Sequence, residues 1–89
     1  MIYVETIVDE KTDIGIERQK NKPRGEWYGL SILENGTDVI ADSEEWVKEV
    51  LNLSDKQIMF ELSLSDKQVK GLRRVVKKAK KLGWFENAR

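Results

Sequence analysis

The stretch Leu53–Leu82, LSDKQIMFELSLSDKQVKGLRRVVKKAKKL, decides the fold, because the pentapeptide LSDKQ occurs in it twice, at 53–57 and again at 64–68. The two copies lead into different patterns. After the second, Val69, Leu72, Val75, Val76, Ala79 and Leu82 recur at spacings of three and four, the period of a helix with one apolar face. Ser65 is placed to accept from the free N–H groups of that helix, and Gln68 stands at the N3 position of a capping box. Gly83 suits the left-handed position past its end, and in a Schellman ending Trp84 folds back over Ala79.

After the first copy, Ile58, Phe60, Leu62 and Leu64 alternate with Met59, Glu61 and Ser63, which is the period of a strand. The expectation is therefore a strand over residues 58–64, with Ser54 turning the chain into it out of a preceding helix. The repeat reads as one capping-capable turn used in two contexts, since the residues beyond each copy have different periods.

Upstream, Asp42-Ser43-Glu44-Glu45 has the composition of a helix start, with a serine cap and two acids in the first turn. Trp46, Val47, Val50 and Leu51 then form a stripe that Asn52 ends. The first 41 residues read as a meander. Residues 2–8 (IYVETIV) alternate, with Ile2, Val4, Thr6 and Val8 on one face and Tyr3, Glu5 and Ile7 on the other. A polar turn at 9–13 leads to a weaker strand from Ile14, and a loop holding the only proline, Pro23, leads to Glu26–Glu34. Asn35-Gly36 is a strong two-residue hairpin signal and predicts a partner strand over Thr37–Ala41. The expected fold is α+β: one domain spanning residues 1–89, an antiparallel sheet of four to five strands with two helices on one face, in the order ββββαβα.

Composition narrows the chemistry. Cysteine and histidine are absent, which removes disulfides, thiolate nucleophiles, the usual zinc ligands and the commonest general base near neutral pH. Neither glycine-rich phosphate-loop pattern occurs. Asp42, Glu44 and Glu45 are the densest acidic group, but their spacing is not that of a calcium loop and helix capping accounts for them. No catalytic residue, metal site or cofactor is assigned. No apolar run approaches the roughly 20 residues needed to span a bilayer, and the opening MIYVETIVDE lacks the features of a signal peptide. A cytoplasmic protein that does not engage a membrane is expected.

Charge is segregated. Residues 1–66 carry seven Lys and Arg against fifteen Asp and Glu, a net −8; residues 67–89 carry nine against one, a net +8. On a wheel of about 100° per residue, the apolar positions of residues 67–82 fall within an arc of roughly 140°. Lys67, Lys70, Arg73, Arg74, Lys77, Lys78, Lys80 and Lys81 fall opposite, within roughly 160°. This arc is the candidate binding surface, with Lys20, Lys22 and Arg24, near Trp27 and Tyr28, as a second contact if the fold brings them to the same side. The function expected is a small, non-enzymatic intracellular binding or regulatory protein acting through a macromolecular surface that includes this helix, with an acidic protein surface or a nucleic acid as partner. Direct nucleic-acid binding by the helix is the alternative, and an enzyme using carboxylates and lysines a further one. A solvated face, neutralised by the chain's own acids, is the reading that assigns it no function.

Two residue types have a structural reading of their own. Gly71, inside the helix at the border of the two arcs, costs about 1 kcal/mol relative to alanine and admits another backbone close by, or is merely tolerated. The three tryptophans, Trp27, Trp46 and Trp84, read as core, and one left exposed would be a binding anchor.

Overall fold

In a computed structural model, residues 2–21 and 26–85 are described, and they form a four-stranded antiparallel sheet followed by three helices. The strands are β1 (Ile2–Asp9), β2 (Ile14–Asn21), β3 (Glu26–Glu34) and β4 (Thr37–Asp42), and they lie in sequence order across the sheet. The β3–β4 hairpin turns through Asn35 and Gly36, both at positive φ (52° and 80°), as their small or absent side chains permit. Ile7 pairs with Ile16, Ile16 with Ile32 and Ile32 with Ile40, so one row of isoleucines crosses all four strands on one face. That row is the floor of the core.

The helices α1 (Glu44–Leu51), α2 (Asp55–Leu62) and α3 (Asp66–Lys81) come after β4 without an intervening strand. α3 lies on β1 and β2, α1 on β3 and β4, and α2 packs against α3. Val47 and Leu51 of α1, Ile58 of α2, and Val69, Leu72, Val75, Val76 and Ala79 of α3 close over the isoleucine row as a single cluster. The order is thus ββββααα: the class and the antiparallel meander stand, while the fifth strand expected over 58–64 is a helix.

The reason is the repeat itself. Ser54 Oγ accepts from Gln57 N at 3.2 Å while Gln57 Oε1 accepts from Ser54 N at 3.1 Å. Ser65 and Gln68 repeat the geometry at 3.2 and 2.8 Å. Both copies of LSDKQ are therefore complete capping boxes, and each starts a helix. The leucine before each serine stands at N′ and the residue after each glutamine at N4, the two positions of a hydrophobic staple: Leu53 with Ile58, Leu64 with Val69. All four belong to the core or pack on it. Ile58 and Leu62 satisfy a period of four as well as a period of two, and Phe60, which a strand would have turned inward with them, is 84% exposed.

α2 ends at Ser63 in the left-handed region (φ 57°), with Leu64 N donating to Met59 O. α3 ends as a Schellman motif: Trp84 N donates to Ala79 O at 2.9 Å and Gly83 N to Lys80 O at 3.1 Å. Trp84 is thereby folded onto the sheet, 8% exposed, with the Arg18 guanidinium 4.5 Å from its ring. Trp46 departs from the core reading. It projects from the outer side of α1 and is 48% exposed. The side chain of Trp27 lies outside the described residues.

Candidate macromolecular-binding surface on α3

The wheel of α3 is realised: the buried residues are Val69, Gly71, Leu72, Val75, Val76 and Ala79, and the basic residues occupy the opposite side. Leu82, counted in the apolar arc, lies beyond the last turn and is 60% exposed. The structure divides the basic arc into two flanks and a crest, and the division is set by what packs against each side of the helix.

Arg73 lies on the flank facing the α1–α2 junction. Its Nη1 donates to Leu51 O at 2.5 Å, its Nη2 to Leu53 O at 2.6 Å, and its Nε to Asp55 Oδ1 at 2.9 Å. Leu51 is the last residue of α1, so its carbonyl is one of those a helix end leaves without an internal partner. Asp55 opens α2. One guanidinium thus satisfies the end of one helix, the connecting loop and the start of the next.

Arg74 lies on the opposite flank, facing the β1–β2 turn. Its Nε and Nη2 donate to Asp9 Oδ1 and Oδ2, both at 3.0 Å, a two-bond pairing matched to the carboxylate. Thr12 Oγ1 adds a third bond to Asp9 Oδ2 at 2.7 Å. The hydrogen bond from Arg74, then that from Thr12, hold the Asp9 carboxyl well below its ordinary 3.8, at about 2, and the same pairing raises the Arg74 pKa.

Gly71 stands one helical turn before this pair, and the reason for it is steric. A Cβ at Gly71 would overlap Thr12 Oγ1 and come within 2.8 Å of Asp9 Oδ2. What approaches is the side chains of the β1–β2 turn. The glycine lets that turn sit down on the helix, which is what brings Asp9 within reach of Arg74.

The crest is different. Lys70 pairs with Asp66, four residues back in the first turn, at 3.1 Å, which relieves part of the repulsion between the like charges of the arc. Among the described residues Lys67, Lys77, Lys78, Lys80 and Lys81 make no ion pair. Of the basic arc on α3, then, the two arginines are consumed internally and the lysines are exposed.

Of the second group, Lys22 and Arg24 lie outside the described residues, as do the side chains of Trp27 and Tyr28. Lys20 is in register with Tyr3 and with Trp27, two residues beyond Arg18 on β2, at the end of the sheet toward which α3 runs. Asp42, Glu44 and Glu45 do cap and charge the start of α1. Asp42 Oδ1 accepts from Ser43 N at 2.6 Å, Ser43 Oγ accepts from Trp46 N at 3.3 Å, and Glu44 pairs with Lys48 at 2.8 Å. No group of three or more carboxylates gathers among the described residues, and no helix there is long and apolar enough to cross a membrane.

One feature beside α3 is invisible in the sequence. A cavity of about 410 Å³ opens between α1 and α3. Leu51, Leu53, Val76 and Phe85 supply its apolar lining, and Lys48, Arg73, Lys77 and Lys80 its charged rim. Arg73 is bonded to the carbonyls of the lining residues Leu51 and Leu53, and Lys48 Nζ lies 5.6 Å from the Phe85 ring centroid. Lys48 and Phe85 come to α3 from separate elements, and nothing in their local sequence marks them. No family model, curated protein or solved structure matches this chain.

Proposed function

We propose that the protein is a non-enzymatic intracellular binding protein that docks an acidic macromolecular partner, a protein in the first instance, on the lysine crest of α3. The carrying observation is the partition of the helix's charge. Both arginines are neutralised within the chain by Asp9 and Asp55, while Lys67, Lys77, Lys78, Lys80 and Lys81 have no carboxylate partner among the described residues. A purely solvated face gains nothing from so many unrelieved like charges at i, i+3 and i+4, each worth a few tenths of a kcal/mol of repulsion. A docking face recovers that cost when the partner arrives.

The same partition favours a protein over a nucleic acid. Guanidinium groups give two-bond recognition of phosphates and guanine edges, and those of α3 are committed elsewhere. Lysines are point charges that suit carboxylates at any angle. The test is affinity capture on the immobilised protein and on the triple variant Lys70→Glu, Lys77→Glu, Lys81→Glu, each after nuclease treatment, beside retention on a duplex DNA column. A protein captured by the wild type, lost by the variant and insensitive to nuclease is the expected result. Retention on DNA with no nuclease-resistant partner would transfer the surface to nucleic acid.

A further inference from the structure

We infer that the α1–α3 cavity is the specificity pocket of this surface, and that it takes an apolar side chain of a short acidic peptide segment whose flanking carboxylates lie on Lys77 and Lys80. The inference rests on the proposed docking role of α3 and adds to it the place and the chemistry of the anchor. Four observations lead to it. Four apolar residues line the cavity, Leu51 and Val76 nearly buried and Leu53 and Phe85 partly buried. The volume, about 410 Å³, has room for a large side chain and lies at the low end of ligand-sized cavities, roughly 300–1,000 Å³.

Among the described residues the charged groups of the rim are all cationic, beside the neutral Asn52, and two of them, Lys77 and Lys80, have no ion-pair partner there. An occupant must therefore combine an apolar body with more than one negative charge. Finally, Lys77 belongs both to the rim and to the crest, so a ligand anchored in the cavity continues directly onto the remaining lysines. An extended polyanion with an apolar anchor uses both features. A compact anion would use the cavity alone.

A nucleic acid fits less well at this place. Its base would need an aromatic face for stacking, and the one aromatic ring that lines the cavity among the described residues, Phe85, is already faced by Lys48. The phosphates would meet Arg73 with its donors spent on Leu51, Leu53 and Asp55.

The experiment compares two pairs of charge reversals that change net charge equally. Lys77→Glu with Lys80→Glu alters the rim of the cavity, and Lys67→Glu with Lys78→Glu, the flank pair, alters the part of the crest that borders the Arg74 flank. All four lysines are exposed, so neither pair disturbs the core. The probes are a short fluorescein-labelled peptide of aspartates and glutamates with one central phenylalanine, the same peptide with alanine at that place, and labelled single-stranded oligothymidine, each titrated by anisotropy. Burying the phenylalanine should tighten binding at least about tenfold over the alanine peptide. The rim pair should remove that preference and most of the affinity, while the flank pair changes affinity only a few-fold. Equal loss in both pairs with no phenylalanine preference would overturn the pocket and leave the lysine surface standing. Unchanged peptide binding in both pairs would overturn the surface as well. Oligothymidine bound more tightly than either peptide would overturn the assignment in favour of nucleic acid.

Discussion

At the scale of single residues, the fold spends its best hydrogen-bonding cations on itself. Arg73 illustrates why arginine and not lysine stands there: three acceptors lie around one planar fork, two of them backbone carbonyls. A lysine would serve one of them. Arg73→Lys should therefore cost about 1.5–3 kcal/mol, the range for hydrogen bonds to a charged group, read as a lowered midpoint in urea at unchanged slope.

Asp9 carries a pH dependence whose sign is set by the depressed pKa. Its folded value, about 2, lies below the ordinary 3.8, so its contribution is fully present above the ordinary value and is lost as pH falls through about 2. Asp9→Asn should be less stable than wild type at neutral pH, and the two should converge below about pH 2, as thermal melts across that range would show. Gly71→Ala should also destabilise, although alanine ordinarily gains about 1 kcal/mol over glycine in a helix. The new methyl group meets Thr12 and Asp9. A melting temperature at or above that of wild type would rule out the close approach of the β1–β2 turn to α3.

At the scale of elements, the second half of the chain is governed by local capping. The Ser-x-x-Gln signal is legible in both copies of LSDKQ, and so is the leucine ahead of each, but alternation after the first copy suggests a strand. Alternation is weak evidence when Ile58 and Leu62 fit both periods. The discriminating residue is Phe60: a strand needs it inside, and α2 turns it out to 84% exposure. Phe60→Ser should therefore change stability by less than about 0.5 kcal/mol, the ordinary range for an exposed position, where a core strand would lose several. Ser54→Ala and Ser65→Ala should each cost about 1 kcal/mol, as the loss of a helix cap does. In the sheet, the hairpin at Asn35-Gly36 and the strand limits are readable because turn chemistry and β-branched runs are local. Which face of β1 is buried is not. Val4 and Val8 lie on the open side and Glu5 and Ile7 on the helix side, a choice fixed by pairing with Arg18 and Ile16.

At the scale of the whole molecule, the segregation of −8 and +8 resolves into three zones of one helix. Acids of the first part of the chain reach α3 from both sides, Asp9 from the β1–β2 turn and Asp55 from α2, and neutralise the flanks. Between them the lysines are left to solvent. The wheel predicts the basic arc from sequence because helical geometry is local. It has no means of dividing that arc, since the partner of Arg74 lies 65 residues away and that of Arg73 18 residues away. The cavity is illegible for the same reason: its walls come from α1, the α1–α2 junction, α3 and the turn after it.

The central claim is that the crest of α3 is an open, anion-seeking surface. It is tested most directly by titrating fluorescein-labelled polyglutamate with the wild type and with the triple variant Lys70→Glu, Lys77→Glu, Lys81→Glu, at low and at physiological salt. An open crest predicts binding by the wild type that weakens as salt screens the charges, and none by the variant, with both proteins folded by far-UV circular dichroism. Equal binding by the two, or no binding by the wild type at low salt, would contradict it.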